Sequence, residues 1–312
     1  MALRSLSQRA RVEPLEADIA LELVEYAATE RRALREPEAL LELRPTLSLT
    51  RALGRRLRTR LYGEDGFVRL SLRSIPGAYR RYAYAAIAME IGEPILRYGF
   101  QFEVADRGVS HLDSAVPVSM TRAATGMHTD SSAFDCVPGI IGLLCERPSL
   151  DGGTSRLADA EAACRALATE APDVLERLHR PFIRDVVTPG LDKGLDSLRR
   201  NRIPVVRTEP EFQFRYMRYW IEKGYERAGE PLEAEDLRAF DVLDAVLDRP
   251  EIGAAFRLER GEALFVDNTR FTHSRDAYDA VPREGRLLWR MWLDERVLAA
   301  PPSTVEVDGA QA

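Results

Sequence analysis

From about Phe100 onward, the chain consists of short apolar runs that are separated by Gly, Pro and Asp residues. Strands of a β-sandwich or barrel are short and end at such turn residues, whereas a βαβ array would place long helical patterns between its strands. The run from Val137 to Cys145 is typical of a buried strand, and the run from Arg286 to Leu293 is a second candidate. This part of the chain therefore predicts a mainly β core.

The first third of the chain shows a helical period. Apolar residues recur there at intervals of four, which places each set on one helix face: Leu15, Ile19, Leu23 and Ala27, then Leu53, Leu57 and Leu61. A strand is predicted from Phe67 to Ile75, followed by a helix from Pro76 to Ile91. We therefore expect an α+β protein whose 312 residues form a single domain, with a helical part (residues 1–99) packed on a β core (residues 100–300).

Two helices are predicted within the β core. One begins after the N-cap Asp159 and runs toward Leu178 with a break at Pro172. The other spans residues 233–247 and is predicted to face inward through Leu237, Phe240, Leu243 and Leu247. Residues 181–211 contain many Pro and Gly residues without a sustained period, so we expect an irregular segment, either a lid or a plain surface insertion.

Composition excludes several classes of protein. The formal net charge of −6 provides no positive field for a nucleic-acid backbone, so a small molecule is the expected partner. No run approaches 18 apolar residues, which disfavours a membrane span. The three cysteines include no Cys-x-x-Cys pair, which predicts a reduced, cytoplasmic setting: Cys136, Cys145 and Cys164.

Histidine-based metal sites have few candidates in this chain: His111, His128, His179 and His273. Non-haem iron(II) oxygenases bind the metal through two imidazoles and one carboxylate on one face. A His-x-Asp pair on an extended segment supplies two of these ligands, because residues two apart project from the same side of a strand. Both His128-x-Asp130 and His111-x-Asp113 fit this pattern, and neither is specific alone.

The surrounding sequence favours His128. It shortly precedes the predicted strand from Val137 to Cys145, and Gly152-Gly153-Thr154 follows that strand. Nothing comparable follows His111. For His111 and His179, a local hydrogen-bonding or packing role is the better interpretation.

A third ligand is predicted at His273, which follows a turn and an apolar strand that begin at Gly261. The next strand candidate carries Arg286 and Arg290 on one face. A buried guanidinium is costly unless it is paired, and a dicarboxylate ligand would satisfy it through two parallel hydrogen bonds. The alternative is a solvent-exposed face, but the preceding histidine favours a ligand site.

Taken in order, these motifs resemble those of the taurine dioxygenase and clavaminate synthase-like superfamily: His128-x-Asp130, Gly152-Gly153-Thr154, Asp267-Asn268-x-Arg270-x-x-His273 and Arg286-x-x-x-Arg290. The resemblance covers roughly residues 120 to 295. One departure is Ser274, since the superfamily frequently has Gly directly after the distal histidine.

The resemblance implies a double-stranded β-helix, or jelly roll, whose open end holds iron(II) through His128, Asp130 and His273. It implies 2-oxoglutarate as co-substrate, with Thr154 and Arg286 on its distal carboxylate, and dioxygen as the oxidant. The presence of Asp130 favours hydroxylation over halogenation, because related halogenases lack this carboxylate.

The resemblance also places Arg290 toward the primary substrate, commonly at an acidic group. We therefore expect hydroxylation of an unactivated C–H bond in a small carboxylate-bearing metabolite, such as an amino acid or a derivative, with release of succinate and CO2. The segment from Phe212 to Trp220 either lines the pocket or is a packed strand, and Arg218 within it is a candidate substrate contact. The rival hypothesis is a cupin-like isomerase or hydrolase, which has no need of Thr154 and Arg286.

Overall fold

The computed structural model describes residues 6–108, 118–134, 137–185, 194–279 and 285–294. Its α-helices are α1 (Leu6–Arg9), α2 (Ala17–Thr29), α3 (Arg31–Arg35), α4 (Leu40–Leu43), α5 (Ser48–Leu61), α6 (Gly77–Ile91), α7 (Ala160–Glu170), α8 (Pro172–Leu178), α9 (Leu195–Arg200), α10 (Arg218–Ala228) and α11 (Ala234–Leu247). Short 3-10 turns cover Pro37–Ala39 and Val118–Met120. None of the helices in these ranges combines the length and the apolar character needed to cross a membrane.

The strands are β1 (Val12–Pro14), β2 (Phe67–Ser71), β3 (Glu93–Pro94), β4 (Phe102–Ala105), β5 (Thr125–His128), β6 (Ile140–Arg147), β7 (Ser155–Asp159), β8 (Pro181–Ile183), β9 (Arg202–Pro204), β10 (Val206–Arg207), β11 (Gln213–Phe214), β12 (Gly253–Phe256), β13 (Glu262–Asp267), β14 (Phe271–Arg275) and β15 (Leu287–Asp294). A seven-stranded sheet has the order β1-β2-β13-β6-β15-β3, with β4 also on β15. A four-stranded sheet has the order β12-β7-β14-β5. Their strand pairs are antiparallel except for β1 with β2.

Clusters of buried apolar side chains define the layers of the molecule. Helices α2, α5 and α6 pack on one face of the large sheet, where they meet Phe265 of β13. The neighbouring residue Leu264 points to the other face, where it joins Phe271 of the small sheet. Helices α7, α8 and α11 pack around Phe240 and reach Ala158 on the small sheet. Both sheets are therefore covered by helices on their outer sides, and their inner sides face each other.

The predicted mixture of helices and sheet is confirmed. Helices α2 and α5 bury residues that the four-residue spacing had identified, including Leu23 and Leu57, and α6 occupies the helix predicted to end at Ile91. Asp159 caps α7 by accepting a hydrogen bond from the backbone N–H of Ala162, and Pro172 begins α8. One inward prediction was wrong, because Leu237 of α11 is 38% exposed.

Two predicted segments differ from the structure. The expected irregular segment 181–211 contains α9 and short strands, since β8 pairs with β9 and β10 pairs with β11. Residues 186–193 lie outside the described ranges, and the role of the segment as a lid stays a prediction. The aromatic segment 212–220 is not one strand: β11 ends at Phe214, and α10 begins at Arg218.

Candidate metal and co-substrate site

A cavity between the two sheets contains the predicted metal ligands. His128 ends β5 and His273 lies in β14, and the register of this antiparallel pair places them opposite each other. Their ring centroids are 4.2 Å apart. Asp130 follows β5, and its Oδ1 lies 3.8 Å from Nε2 of His128 and 3.6 Å from Nε2 of His273. One ligand atom from each residue fits within a 4.8 Å cluster, so the three side chains are close enough to share one metal ion.

Backbone contacts orient two of these side chains. Nδ1 of His128 is 2.8 Å from the carbonyl oxygen of Gly126, which leaves Nε2 free to face the cluster. The side-chain amide of Asn268 bonds both the N–H of Asp130 (2.8 Å) and its carbonyl oxygen (3.2 Å). Asn268 is itself fully buried, so it holds the backbone of Asp130 in place. Nδ1 of His273 is buried and has no hydrogen-bond partner among the described residues.

The protonation states suit a divalent metal. Burial lowers the pKa of His128, and burial together with the neighbouring His128 ring lowers the pKa of His273 to about 3. Burial acts to raise the pKa of Asp130, but the charge of Arg290, the neighbouring histidine rings and a hydrogen bond from Trp292 outweigh it and lower the pKa to about 2. Two neutral imidazoles and one ionised carboxylate are the forms that bind a metal at neutral pH.

A second polar region of the same cavity contains two buried arginines. Arg286 and Arg275 flank the ring of Tyr278, with guanidinium carbons 5.7 Å and 4.8 Å from its centroid. Neither guanidinium has a carboxylate partner in the part of the chain that the structure describes, although Arg275 donates to the carbonyls of Thr121 and Ala123. Nη1 of Arg286, Nε of Arg275 and the hydroxyl of Tyr278 are buried without a hydrogen-bond partner there. We call Arg275, Tyr278 and Arg286 the arginine end of the cavity.

Burial and mutual repulsion destabilise the charge at the arginine end. Burial lowers the pKa of Arg286 to about 10, and the neighbouring charge of Arg275 adds to this effect. Burial also lowers the pKa of Arg275. Both side chains are still protonated at neutral pH, so the arginine end presents two positive charges to an anion.

Two glycines bring the backbone around the arginine end together. Gly152 and Gly153 have φ values of +65° and +69°, a backbone conformation that disfavours residues with a Cβ. A Cβ on Gly152 would lie 2.2 Å from the carbonyl oxygen of Ala277. The N–H of Gly153 donates to that same carbonyl, and Gly152 forms an isolated bridge with Tyr278. The Gly-Gly motif therefore fixes the loop that carries Tyr278.

The residue after the Gly-Gly motif does not line the cavity. Thr154 precedes β7 and is absent from the lining, whereas its neighbour Ser155 lines the cavity. Ser155 pairs with Arg275 across β7 and β14, which places it beside the arginine end. Sequence reasoning missed both residues, although Arg275 lies two positions after His273 and so shares its strand face.

The predicted substrate arginines have different surroundings. Arg290 lines the cavity, and its Nη1 donates to Oδ2 of Asp130 at 2.9 Å. Arg218 is absent from the lining; it forms ion pairs with Glu222 (2.7 Å), Asp241 (2.7 Å) and Asp244 (3.0 Å). The predicted substrate contact at Arg218 is therefore not supported, because α10 and α11 already neutralise its charge.

His179, the other histidine among the described residues, is not part of the cluster. Nδ1 of His179 is 3.0 Å from the carbonyl oxygen of Val206, and His179 does not line the cavity. The competing pair, His111 and Asp113, lies outside the described residues.

Comparison with known proteins identifies the family. The family model described as "Taurine catabolism dioxygenase TauD, TfdA family" matches residues 37–292. The chain belongs to the TauD/TfdA dioxygenase family. This confirms the family that the motifs predicted, together with the class of enzyme, a dioxygenase.

Solved structures share the fold of this TauD/TfdA chain. An asparagine oxygenase in complex with Fe(II), 2S,3S-3-hydroxyasparagine and succinate is 19% identical, with a TM-score of 0.65 over 94% of this chain and 97% of that one. The non-heme iron oxygenase OrfP in complex with Fe, succinate and (3S)-hydroxy-L-Arg is 16% identical, with a TM-score of 0.65 over 95% of this chain and 99% of that one. At these identities the likeness establishes the fold alone.

Curated relatives are also dioxygenases. Mitochondrial trimethyllysine dioxygenase of Gallus gallus is 29% identical over 168 residues, which are 51% of this chain and 38% of that protein. Uridine-5'-phosphate dioxygenase of Amycolatopsis sp is 27% identical over 244 residues, which are 73% of this chain and 84% of that protein. The match therefore spans well under half of the first relative and most of the second.

Proposed function

We propose that this enzyme hydroxylates a C–H bond of a small carboxylate-bearing metabolite, such as an amino acid or a derivative, at an iron held by His128, Asp130 and His273. One observation carries the proposal: the same cavity contains these three ligands and the buried Arg286. Arg286 has no carboxylate partner among the described residues. A cupin-like isomerase or hydrolase would need the metal ligands only. A dioxygenase that uses 2-oxoglutarate also needs a cation for the distal carboxylate.

In this proposal the arginine end binds the co-substrate. Arg286 pairs with the distal carboxylate of 2-oxoglutarate, Arg275 adds a second positive charge, and the hydroxyl of Ser155 takes the role that the sequence had suggested for Thr154. Iron and 2-oxoglutarate, once bound, supply with dioxygen the oxidising power to break a C–H bond, and 2-oxoglutarate leaves as succinate and CO2. Apolar residues of the lining, such as Leu157 and Leu264, exclude water between the two ends.

The metal ligands would act through fixed positions and charges. The ring of His128 is oriented by the carbonyl of Gly126, and the backbone of Asp130 is clamped by Asn268, so little reorganisation is required when iron binds. A divalent metal held by the two neutral histidines and the charged Asp130 would keep a net positive charge, which would suit the keto acid end of 2-oxoglutarate, while the arginine end favours the far carboxylate.

The fold supports a specific architecture for this site. We infer that the two facing sheets form a double-stranded β-helix with the metal at its open end, and that the helical part and the β core are one domain. Support comes from the buried apolar side chains between the sheets, which include Leu264 and Phe271. Helices α2, α5 and α6 also share one apolar core with strands of the large sheet. A cytoplasmic setting agrees with the free, buried thiols of Cys145 and Cys164.

The substrate class follows from Arg290 and from the relatives. Arg290 lines the cavity beside the metal cluster and donates Nη1 to Asp130, and a guanidinium carries further N–H donors for a substrate anion. Names of similar proteins include an asparagine oxygenase, a γ-butyrobetaine dioxygenase and a trimethyllysine dioxygenase. Each of these names describes a small molecule with a carboxylate, which favours the same class here.

The test is an assay of succinate release by the full chain with iron(II), 2-oxoglutarate and a panel of amino acids, their N-methylated derivatives and nucleotides. We expect at least one carboxylate-bearing compound to stimulate succinate release and to gain one oxygen atom by mass spectrometry. Anaerobic titration with iron(II) and 2-oxoglutarate should produce a weak visible absorption before any substrate is known.

Two results would contradict the proposal. If no visible absorption forms and 2-oxoglutarate does not bind, the site is not that of a 2-oxoglutarate-dependent enzyme. If only nucleotides are hydroxylated, the iron site stands and the carboxylate class is wrong.

A further inference from the structure

One carboxylate oxygen of Asp130 is fully engaged by protein donors. Oδ2 accepts a hydrogen bond from Nη1 of Arg290 at 2.9 Å and another from Nε1 of Trp292 at 2.7 Å. The other oxygen, Oδ1, is the atom that lies 3.8 Å and 3.6 Å from the Nε2 atoms of His128 and His273. The two oxygens of this carboxylate therefore have separate surroundings, one facing the metal cluster and one facing β15.

We propose that Trp292 is a positioning residue for the metal centre, which reserves Oδ2 of Asp130 so that Oδ1 alone faces the iron. This inference rests on the proposed function. A carboxylate that chelates through both oxygens takes an additional coordination position, and the oxoacid and dioxygen need the positions that the protein leaves open. Holding Oδ2 away from the metal therefore preserves the open positions on which the reaction depends.

Strand β15 explains why two donors meet at one oxygen. Residues two apart on a strand project to the same side, so Arg290 and Trp292 both point from β15 into the cavity. The indole of Trp292 is 8% exposed and packs edge-on against Tyr98, with centroids 5.0 Å apart and planes at 78°. Packing on this scale restricts the ring, and the single N–H of an indole can act only as a donor. Trp292 is thus a fixed donor aimed at Oδ2.

Trp292 and Arg290 have unequal freedom. In the proposed function Arg290 also contacts the substrate anion, so its hydrogen bond with Asp130 can change when substrate binds. Trp292 has no second partner for its N–H among the described residues, and its bond to Oδ2 is the shorter of the two. The indole therefore keeps Oδ2 engaged while Arg290 serves the substrate.

The same strand offers a matched control. Trp289 lies on the opposite face of β15, where the guanidinium of Arg81 stacks 3.8 Å from its ring. It belongs to the cluster around α6 and does not line the cavity. A change of Trp289 to Phe therefore removes an indole N–H from β15 without touching Asp130.

The experiment compares Trp292→Phe with Trp289→Phe in the full chain under anaerobic conditions. Cobalt(II), whose visible spectrum reports coordination number, is titrated first alone and then with 2-oxoglutarate. We expect Trp292→Phe to weaken cobalt binding by about tenfold, within the range usual for loss of a group that orients a metal ligand, and to change the visible spectrum. Trp289→Phe should leave both the affinity and the spectrum as in the unmodified protein.

Because Trp292→Phe also loses packing, a second variant isolates the N–H. Replacement of Trp292 by β-(3-benzothienyl)alanine keeps the bicyclic shape and substitutes sulfur for N–H. The same shift in affinity and spectrum is expected there. If this variant folds and binds cobalt with an unchanged spectrum and affinity, the positioning role of Trp292 is overturned while the metal site stands. If the unmodified protein itself binds no metal, the proposed function fails first.

Discussion

The metal cluster and the arginine end occupy one cavity but differ in how their charges are balanced. Asp130 accepts hydrogen bonds from Arg290 and Trp292, so its negative charge is paired with a cation before any ligand binds. Arg286 is equally buried but has no carboxylate partner among the described residues, where Arg275 and the ring of Tyr278 lie beside it. Arg286 directly precedes β15 and Arg290 lies within it, but only Arg290 is paired with a carboxylate.

This difference shows which part of the site needs a ligand most. Burying an unpaired guanidinium costs free energy of folding, because water is removed and nothing replaces it. The metal cluster avoids most of that cost through its internal pairs. The arginine end does not, so an anion that supplies a carboxylate there restores the missing interactions. In the proposed function, this anion is the distal carboxylate of 2-oxoglutarate.

The largest effect is expected from removing a metal ligand. His273→Ala should abolish the visible absorption of the anaerobic iron complex with 2-oxoglutarate and reduce succinate release by more than about 100-fold, the upper range for merely misorienting a ligand. The matched control is His179→Ala, since His179 bonds the carbonyl of Val206 outside the cavity. Loss of the absorption in the His179 variant instead would show that the metal does not bind at His128, Asp130 and His273.

Next in size is the co-substrate effect at the arginine end. Arg286→Gln should raise the KM for 2-oxoglutarate by about 100-fold, because a charge-assisted bidentate pair contributes roughly 2–3 kcal/mol. The control is Arg156→Gln, which alters an exposed arginine of the lining that pairs with Asp276. Arg275→Gln should raise the same KM by only about tenfold, since Arg275 already bonds two backbone carbonyls.

Steady-state kinetics with 2-oxoglutarate as the varied substrate provide the measurement. If Arg290→Gln raised this KM as much as Arg286→Gln, the assignment of Arg286 to 2-oxoglutarate and of Arg290 to the primary substrate would be wrong.

The charge balance predicts opposite effects on stability in the metal-free protein. Arg290→Met should lower the free energy of unfolding by about 3–5 kcal/mol, because Asp130 keeps its buried charge and loses its cation. Arg286→Met should leave that free energy unchanged or raise it by about 1 kcal/mol, since an unpaired buried charge is removed. Urea unfolding followed by circular dichroism measures both.

Succinate sharpens the same comparison. Binding of this dicarboxylate to the folded state should raise the melting temperature of the unmodified protein but not that of Arg286→Met. Equal destabilisation by the two methionine variants would show that Arg286 is paired in the folded chain.

The smallest effect is a pH dependence confined to the metal cluster. The pKa of His273 is lowered to about 3 in the folded state, whereas an unfolded histidine titrates near 6.5. Between these values the unfolded chain binds more protons, so stability should fall as pH is lowered from about 7 to about 5. His273→Asn should lose about 2 kcal/mol less stability over this interval than the unmodified protein. Arginines do not titrate there, so Arg286→Met should not change the slope measured by urea unfolding.

Much of this fold could be predicted from local patterns. Four-residue spacing identified α2 and α5, and the apolar run before Gly152 identified β6, because side-chain periodicity reports which face of an element is buried. The segment from Phe212 to Trp220 was harder. Its residues suited either a pocket wall or a packed strand. In the structure α10 begins at Arg218, and Met217 and Trp220 line the cavity.

The site shows where local reasoning fails. The sequence suggested Thr154 for the co-substrate, but Ser155 lines the cavity, because a shift of one residue on a strand reverses the side to which a side chain points. Arg218 was misplaced for a related reason, since the acids that neutralise it come from another helix.

By itself the sequence determined the set of reactive groups: the order His128, Asp130, His273 and Arg286, and the residue spacings that let two of them share a strand face. The tertiary structure decided how those groups are paired. Whether the charge of an arginine is paired depends on residues far away in the chain: Arg290 pairs with Asp130, 160 residues earlier. A local pattern of side chains does not encode a contact between such distant residues. The charge balance of the cavity is therefore a property of the packed sheets. It leaves Arg290 paired with Asp130 and Arg286 without a carboxylate partner among the described residues.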